Sequence, residues 1–146
     1  MTMRGLQVYR CLVCDSVVEV LDSCGVELVC CGPPMELLPE QAAPVGRDQH
    51  AVRVRKTARG LHVVVGNPLH PSEAEDRIAW IETLADGCCF RRFLAPGQRP
   101  EAMFNTAANN FTVRYYCIRH GLWSWSQGTA RGVAADRLPQ CAGSVL

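Results

Sequence analysis

Four cysteines constrain this chain more than any other feature. Cys11 and Cys14 form a C-x-x-C pair, and Cys30-Cys31 supply a second pair further on. A C-x-x-C pair bends the chain so that two thiolates face one ion. A second pair completes a tetrahedron of sulfurs, the donor set of structural zinc and iron–thiolate sites. The spacing does not choose between the two metals. Between the pairs, residues 17–21 read as a strand, Asp22-Ser23-Cys24-Gly25 as a turn, and residues 26–29 as the returning strand. The predicted unit is a β-hairpin with its ligands at the open end. Neighbouring residues of a strand point to opposite faces. Adjacent ligands at Cys30 and Cys31 therefore need a local turn, which Gly32-Pro33-Pro34 can supply.

Composition narrows the class. The nine cysteines would suit a disulfide scaffold in a secreted chain. The first residues lead into no long apolar stretch, so the expectation is a cytoplasmic protein that uses thiols for metal or redox chemistry. Cys24, Cys88, Cys89 and Cys141 read as ordinary small thiols. A net charge of +1 lacks the basic footprint of a nucleic-acid binder. No apolar run approaches the about 18 residues of a membrane span. With 48% hydrophobic residues, the chain can fill a core.

The expected organisation is all-β. Residues 1–38 form the cysteine unit, which is too small to hold a core without a metal staple. Pro33, Pro34, Pro39 and Pro44 mark an extended linker. Residues 39–126 form the second domain, where strands at regular spacing begin at about Ala51 and are bounded by turns such as Ala58-Arg59-Gly60, Asp86-Gly87 and Pro96-Gly97. That pattern predicts an antiparallel β-sandwich. Residues 127–146 are a Gly/Ala/Arg-rich tail without a readable motif.

A second constellation lies in the sandwich region. Cys117 and His120 are three apart at the end of a long strand, while His50 and His70 sit in loops, His70 before Pro71. Imidazoles with one thiolate suit iron or copper at an open, redox-active site.

Taken together, these stretches resemble desulfoferrodoxin, the two-domain superoxide reductase family. In the first unit the matching residues are Leu6-Gln7-Val8-Tyr9-Arg10-Cys11-x-x-Cys14, residues 17–21, and Glu27-Leu28-Val29-Cys30-Cys31 with Met35. In the second they are Val65-Gly66, His70-Pro71, Ile78-x-Trp80-Ile81-Glu82, Phe93-Leu94-x-Pro96-Gly97, Pro100-Glu101-Ala102 and Arg114-x-Tyr116-Cys117-x-x-His120-Gly121-x-Trp123. The resemblance covers roughly residues 5–125. It implies a small desulforedoxin-like domain followed by an immunoglobulin-like sandwich, usually in a homodimer. It also implies two iron sites, with zinc an open option at either. The first would use Cys11, Cys14, Cys30 and Cys31. The second would have equatorial histidines and an axial cysteine, mapping onto His50, His70, His120 and Cys117. The implied reaction is one-electron reduction of superoxide to hydrogen peroxide. The axial thiolate pushes electron density toward the bound oxygen, as in haem–thiolate enzymes. A small donor such as rubredoxin would restore the electron.

The chain departs from the family at two places. The remaining equatorial ligand is normally a histidine six residues after the His-Pro histidine, and Asp76 stands there. Asp76 either ligates as a carboxylate, giving a harder, more anionic site, or belongs to a solvated acidic loop with Glu73 and Glu75. The family's Glu-Lys pair before the first histidine is Asp48-Gln49 here. Its lysine attracts the anion, an on-rate effect of fixed charge, and Gln49 offers only a dipole. Lys56, the single lysine, lies on the following strand and is a poor substitute; Arg47 could take that role. Three functions follow: a superoxide reductase, a diverged non-haem iron enzyme acting on an organic substrate or oxygen, or a non-catalytic iron or electron-transfer protein.

Overall fold

The computed structural model describes residues 6–22 and 27–128. Cys24, Cys141 and the expected tail beyond Gly128 lie outside the described residues. Among the described residues no helix is long and apolar enough to cross a membrane. The architecture is all-β.

The first unit contains β1 (Val8–Arg10), β2 (Val17–Glu19) and β3 (Glu36–Leu37), in the order β2-β1-β3. This corrects the expected hairpin. β2 pairs backward with β1, Val8 opposite Glu19 and Arg10 opposite Val17, and not with residues 27–29. Strand-like patterning marks a strand but does not name its partner, and the tight Cys11–Cys14 knuckle makes the nearer partner available. The second knuckle closes through a bridge between Val29 and Pro34 and the Met35 N–H to the Leu28 carbonyl at 2.8 Å. Cys31 adopts φ 56° and Gly32 φ 100° there, which is the turn that adjacent ligands require.

The linker region contributes β4 (Gln41–Ala42), and the sandwich proper is β5 (Val52–Thr57), β6 (Gly60–Val65), β7 (Ser72–Glu73), β8 (Asp76–Ala85), β9 (Cys88–Phe93), β10 (Glu101–Phe104), β11 (Phe111–Cys117) and β12 (Gly121–Gln127). One sheet runs β10-β6-β5 and the other β4-β12-β11-β8-β7, with β9 also on β8. β8 is long enough to pair with β11 along one edge and with β7 and then β9 along the other. β12 and the short parallel pairing of β4 with it are absent from the sequence reading, which takes residues 39–44 as linker only.

Period-2 alternation builds the core. Leu61, Val63 and Val65 of β6 face Phe111, Val113, Tyr115 and Cys117 of β11 and Ile78 and Ile81 of β8. The even residues of β11 are buried as well; the first unit covers Arg114 and Tyr116 on that face. Val8 packs on Trp80, Tyr116 and Leu122, while its neighbour Tyr9 turns inward to Val20 and Met35.

Charge is also buried in this contact. Arg114 is fully buried and donates to the Leu6 carbonyl at 2.7 Å, to Glu19 at 2.8 Å and to Glu82 at 3.0 Å. Arg91 reaches Glu19 at 2.6 Å and lies over the Trp80 ring.

Candidate metal centres

The first cluster is built by two knuckles. The Cys11 N–H donates to the Ser16 carbonyl at 2.9 Å and the Asp15 N–H to the Cys11 carbonyl at 3.0 Å. Asp15 takes φ 63°, a left-handed turn that asparagine and aspartate tolerate. An Arg10–Asp15 ion pair at 2.7 Å brackets the knuckle. One donor atom from each of Cys11, Cys14, Cys30 and Cys31 lies within 4.8 Å of the others. Sulfurs this close share protons. The Cys14 thiol is lowered to about 6 by the Ser16 hydroxyl and amide and its neighbouring thiols, whereas that of Cys30 is pushed up to about 12 by its bonds to Cys14 and Cys11. Backbone N–H groups of Val13 and Cys14 approach Cys11 Sγ at 3.4 and 3.5 Å. Amides aimed at a sulfur fit a metal thiolate, which accepts and does not donate.

The second cluster joins His50, His70, Cys117 and His120, again with donor atoms within 4.8 Å of one another. Cys117 Sγ is 3.4 Å from His70 Nε2 and 3.5 Å from His120 Nδ1. Each residue is fixed by local structure. Cys117 ends β11, where the register with β8 shifts between Tyr116 and Cys117, an irregularity of the kind that re-aims a side chain. The His120 N–H points back to Cys117 Sγ at 3.4 Å. Burial pushes the Cys117 thiol up, and the amides of Arg119 and His120 oppose that shift.

His70 follows a turn at Gly66, whose φ of 94° is left-handed; a Cβ there would overlap the His70 backbone nitrogen. Its Nδ1 lies 2.8 Å from the Pro71 carbonyl, which accepts only from an Nδ1–H. That tautomer leaves the Nε2 lone pair facing the cluster.

His50 sits in the turn before β5. Its N–H donates to Asp48 Oδ1 at 2.8 Å, and its ring stacks on Trp123 with centroids 4.3 Å apart. The Tyr115 hydroxyl donates to the His50 carbonyl. Burial, with His70 and His120 nearby, lowers His50 to about 4, so the ring is neutral near pH 7 and can ligate. Its Nε2 is buried without a hydrogen-bond partner among the described residues. An unsatisfied buried polar atom costs about 1–3 kcal/mol; a cation among these four donors would satisfy it.

Asp76 stands beside this set and outside its tight core. It opens β8, and its Oδ1 is 3.9 Å from both Cys117 Sγ and His70 Nε2. Its side chain is 19% exposed, whereas Glu73 and Glu75 are exposed. The Arg119 guanidinium lies 4.0 Å from the other carboxylate oxygen. Gln49 Nε2 is 3.3 Å from His70 Nε2, so its amide reaches the cluster. Asp48 acts through the loop instead: its side chain and carbonyl bind the amides of His50, Ala51 and Asn67. His62 lies apart, paired with Glu101 at 3.4 Å, and Lys56 contacts Asn109. Arg47 is exposed on the His50 loop.

The sequence reading misses Tyr115, Trp123, Ser16 and Arg119. Period 2 was the available signal for Tyr115, because residues 115 and 117 share one face of a strand. The other three needed the tertiary fold.

Comparison with known proteins bears on the family and the fold. The profile for Desulfoferrodoxin, N-terminal domain matches residues 3–38, and that for Desulfoferrodoxin matches residues 43–126. The chain is 43% identical over 117 residues to the desulfoferrodoxin of Nitratidesulfovibrio vulgaris, covering 80% of this chain and 93% of the relative. It is 45% identical over 118 residues to a desulfoferrodoxin homolog of Methanothermobacter thermautotrophicus, covering 80% and 95%. Its fold is similar to the crystal structure of the superoxide reductase from Treponema pallidum, with TM-score 0.66 and 21% identity over 84% of this chain and 99% of that one. The chain, with its two cysteine-bearing clusters on an all-β frame, belongs to the desulfoferrodoxin family.

Proposed function

We propose that this protein is a two-iron superoxide reductase whose reaction takes place at the cluster of His50, His70, Cys117 and His120. The observation that carries the reading is the convergence of these four donors within 4.8 Å around a buried His50 Nε2 that otherwise has no partner. Iron held there would supply the single electron that, with two protons, converts superoxide to hydrogen peroxide. Cys11, Cys14, Cys30 and Cys31 would hold a second iron, which a small electron-carrier protein could serve.

The chain's own groups divide the work. His70 is held in its ligating tautomer by Pro71, and His50 is held by Tyr115 and Trp123. Cys117 supplies an electron-rich sulfur in a dry setting, which favours electron release toward substrate. Asp76, 3.9 Å from His70 Nε2 and with Arg119 near its outer oxygen, would add a carboxylate donor to a metal held there. A carboxylate in place of imidazole makes the site more anionic and lowers its potential. Gln49 offers an N–H to an anion near His70. His120 is exposed, so solvent on that side would be the source of both protons.

Metal analysis and optical spectra test the assignment. The expected result is two iron atoms per chain and a sulfur-to-iron absorption from the second site that Cys117→Ser removes while the first site's absorption stays. Zinc in the second site, or an absorption unmoved by Cys117→Ser, would refute it.

A further inference from the structure

Ser16 belongs to no ligand set, yet its Oγ lies 3.0 Å from Cys14 Sγ. A metal-bound cysteine is a thiolate and has no proton to give, so the hydroxyl must be the donor in the loaded protein. Its position is set by the knuckle. The left-handed Asp15 turns the chain straight after Cys14, and the Ser16 carbonyl is tied to the Cys11 N–H at 2.9 Å.

The neighbouring charges do not duplicate this dipole. Arg10 and Asp15 close on each other at 2.7 Å, so their fields largely cancel at the sulfur. Cys11 Sγ instead accepts the backbone amides of Val13 and Cys14, at 3.4 and 3.5 Å. The Ser16 hydroxyl is thus a side-chain donor aimed at a ligating sulfur, and it can be removed without cutting the backbone.

We infer that Ser16 is a positioning residue for the first centre, and that its hydroxyl bond to Cys14 raises that centre's reduction potential. Reduction adds one electron and no proton, and the added charge spreads onto the sulfurs. A donor on a sulfur stabilises the reduced state more than the oxidised one. The inference rests on the reading that the four cysteines hold iron.

The test is an equilibrium redox titration of the full-length, iron-loaded protein, following the separate absorptions of the two centres. Ser16→Ala should shift the first midpoint to more negative potential and leave the second where it was. Ser16→Thr, which keeps the hydroxyl, should restore the first midpoint. An unchanged midpoint in Ser16→Ala would overturn the inference, since water would then replace the hydroxyl without loss. Equal shifts in both variants would also overturn it, because packing and not the hydroxyl would be responsible. If the unsubstituted protein shows no iron–thiolate absorption from these cysteines, the metal reading itself falls, and this inference with it.

Discussion

At the scale of single residues, two positions separate a working site from a family likeness. Tyr115 is buried, and its hydroxyl meets the His50 carbonyl. Tyr115→Phe keeps the ring and removes the donor. Loss of such an outer partner typically weakens metal binding about 10–100-fold. We therefore expect the second site, and not the first, to lose iron in competition with a chelator. Asp76 is the second position. If it ligates, Asp76→Ala should shift the second site's absorption and raise its potential, and Asp76→His should return both toward a four-imidazole pattern. A spectrum unaltered by Asp76→Ala would assign this carboxylate to solvent. That His50, His70, Cys117 and His120 belong together was legible in the sequence, because the resemblance named the four residue by residue and the fold gathers their donor atoms within 4.8 Å. The role of Asp76 was not, because distance and burial decide it, and a linear sequence holds neither.

At the scale of elements, the turn carrying His70 and the face of β11 carry the most weight. Gly66→Ala would push a Cβ into the His70 backbone at a left-handed φ of 94°. The expected outcome is a loss of thermal stability together with lowered iron content at the second site, measured by melting and metal analysis on one preparation. On β11, Arg114→Met would leave Glu82 and Glu19 buried beside a single remaining arginine. Breaking a buried pair by removing one partner costs about 3–5 kcal/mol, readable in denaturant unfolding. A cost below about 1 kcal/mol, the level of a surface pair, would mean that water enters the contact. Most sandwich strands were readable from period 2, as in Leu61-His62-Val63-Val64-Val65. The alternation Trp123-Ser124-Trp125-Ser126 carries the same signal for β12. The sequence reading passes over it because Trp123 closes the Cys117–His120 motif there. The partner of β2 was not readable, since alternation sets a face and not a neighbour.

At the scale of the whole molecule, two small bodies share one contact, and each has a different source of stability. Among its described residues the first unit has a small core of its own, Tyr9 and Val20 with a few partly buried neighbours, so a metal at its four cysteines should supply much of its folding energy. The sandwich has a full core of its own. Chelation under reducing conditions should abolish amide-exchange protection around β1 and β2 while β6 and β11 stay protected; uniform loss of protection would show that the two bodies unfold as one. Fast mixing of the fully reduced, iron-loaded protein with a superoxide pulse tests the reaction itself. The account predicts that the second site's iron is oxidised one-for-one with superoxide consumed and that one hydrogen peroxide forms per superoxide, without oxygen release. Superoxide that decays no faster than in buffer, with the second site still reduced, would contradict it.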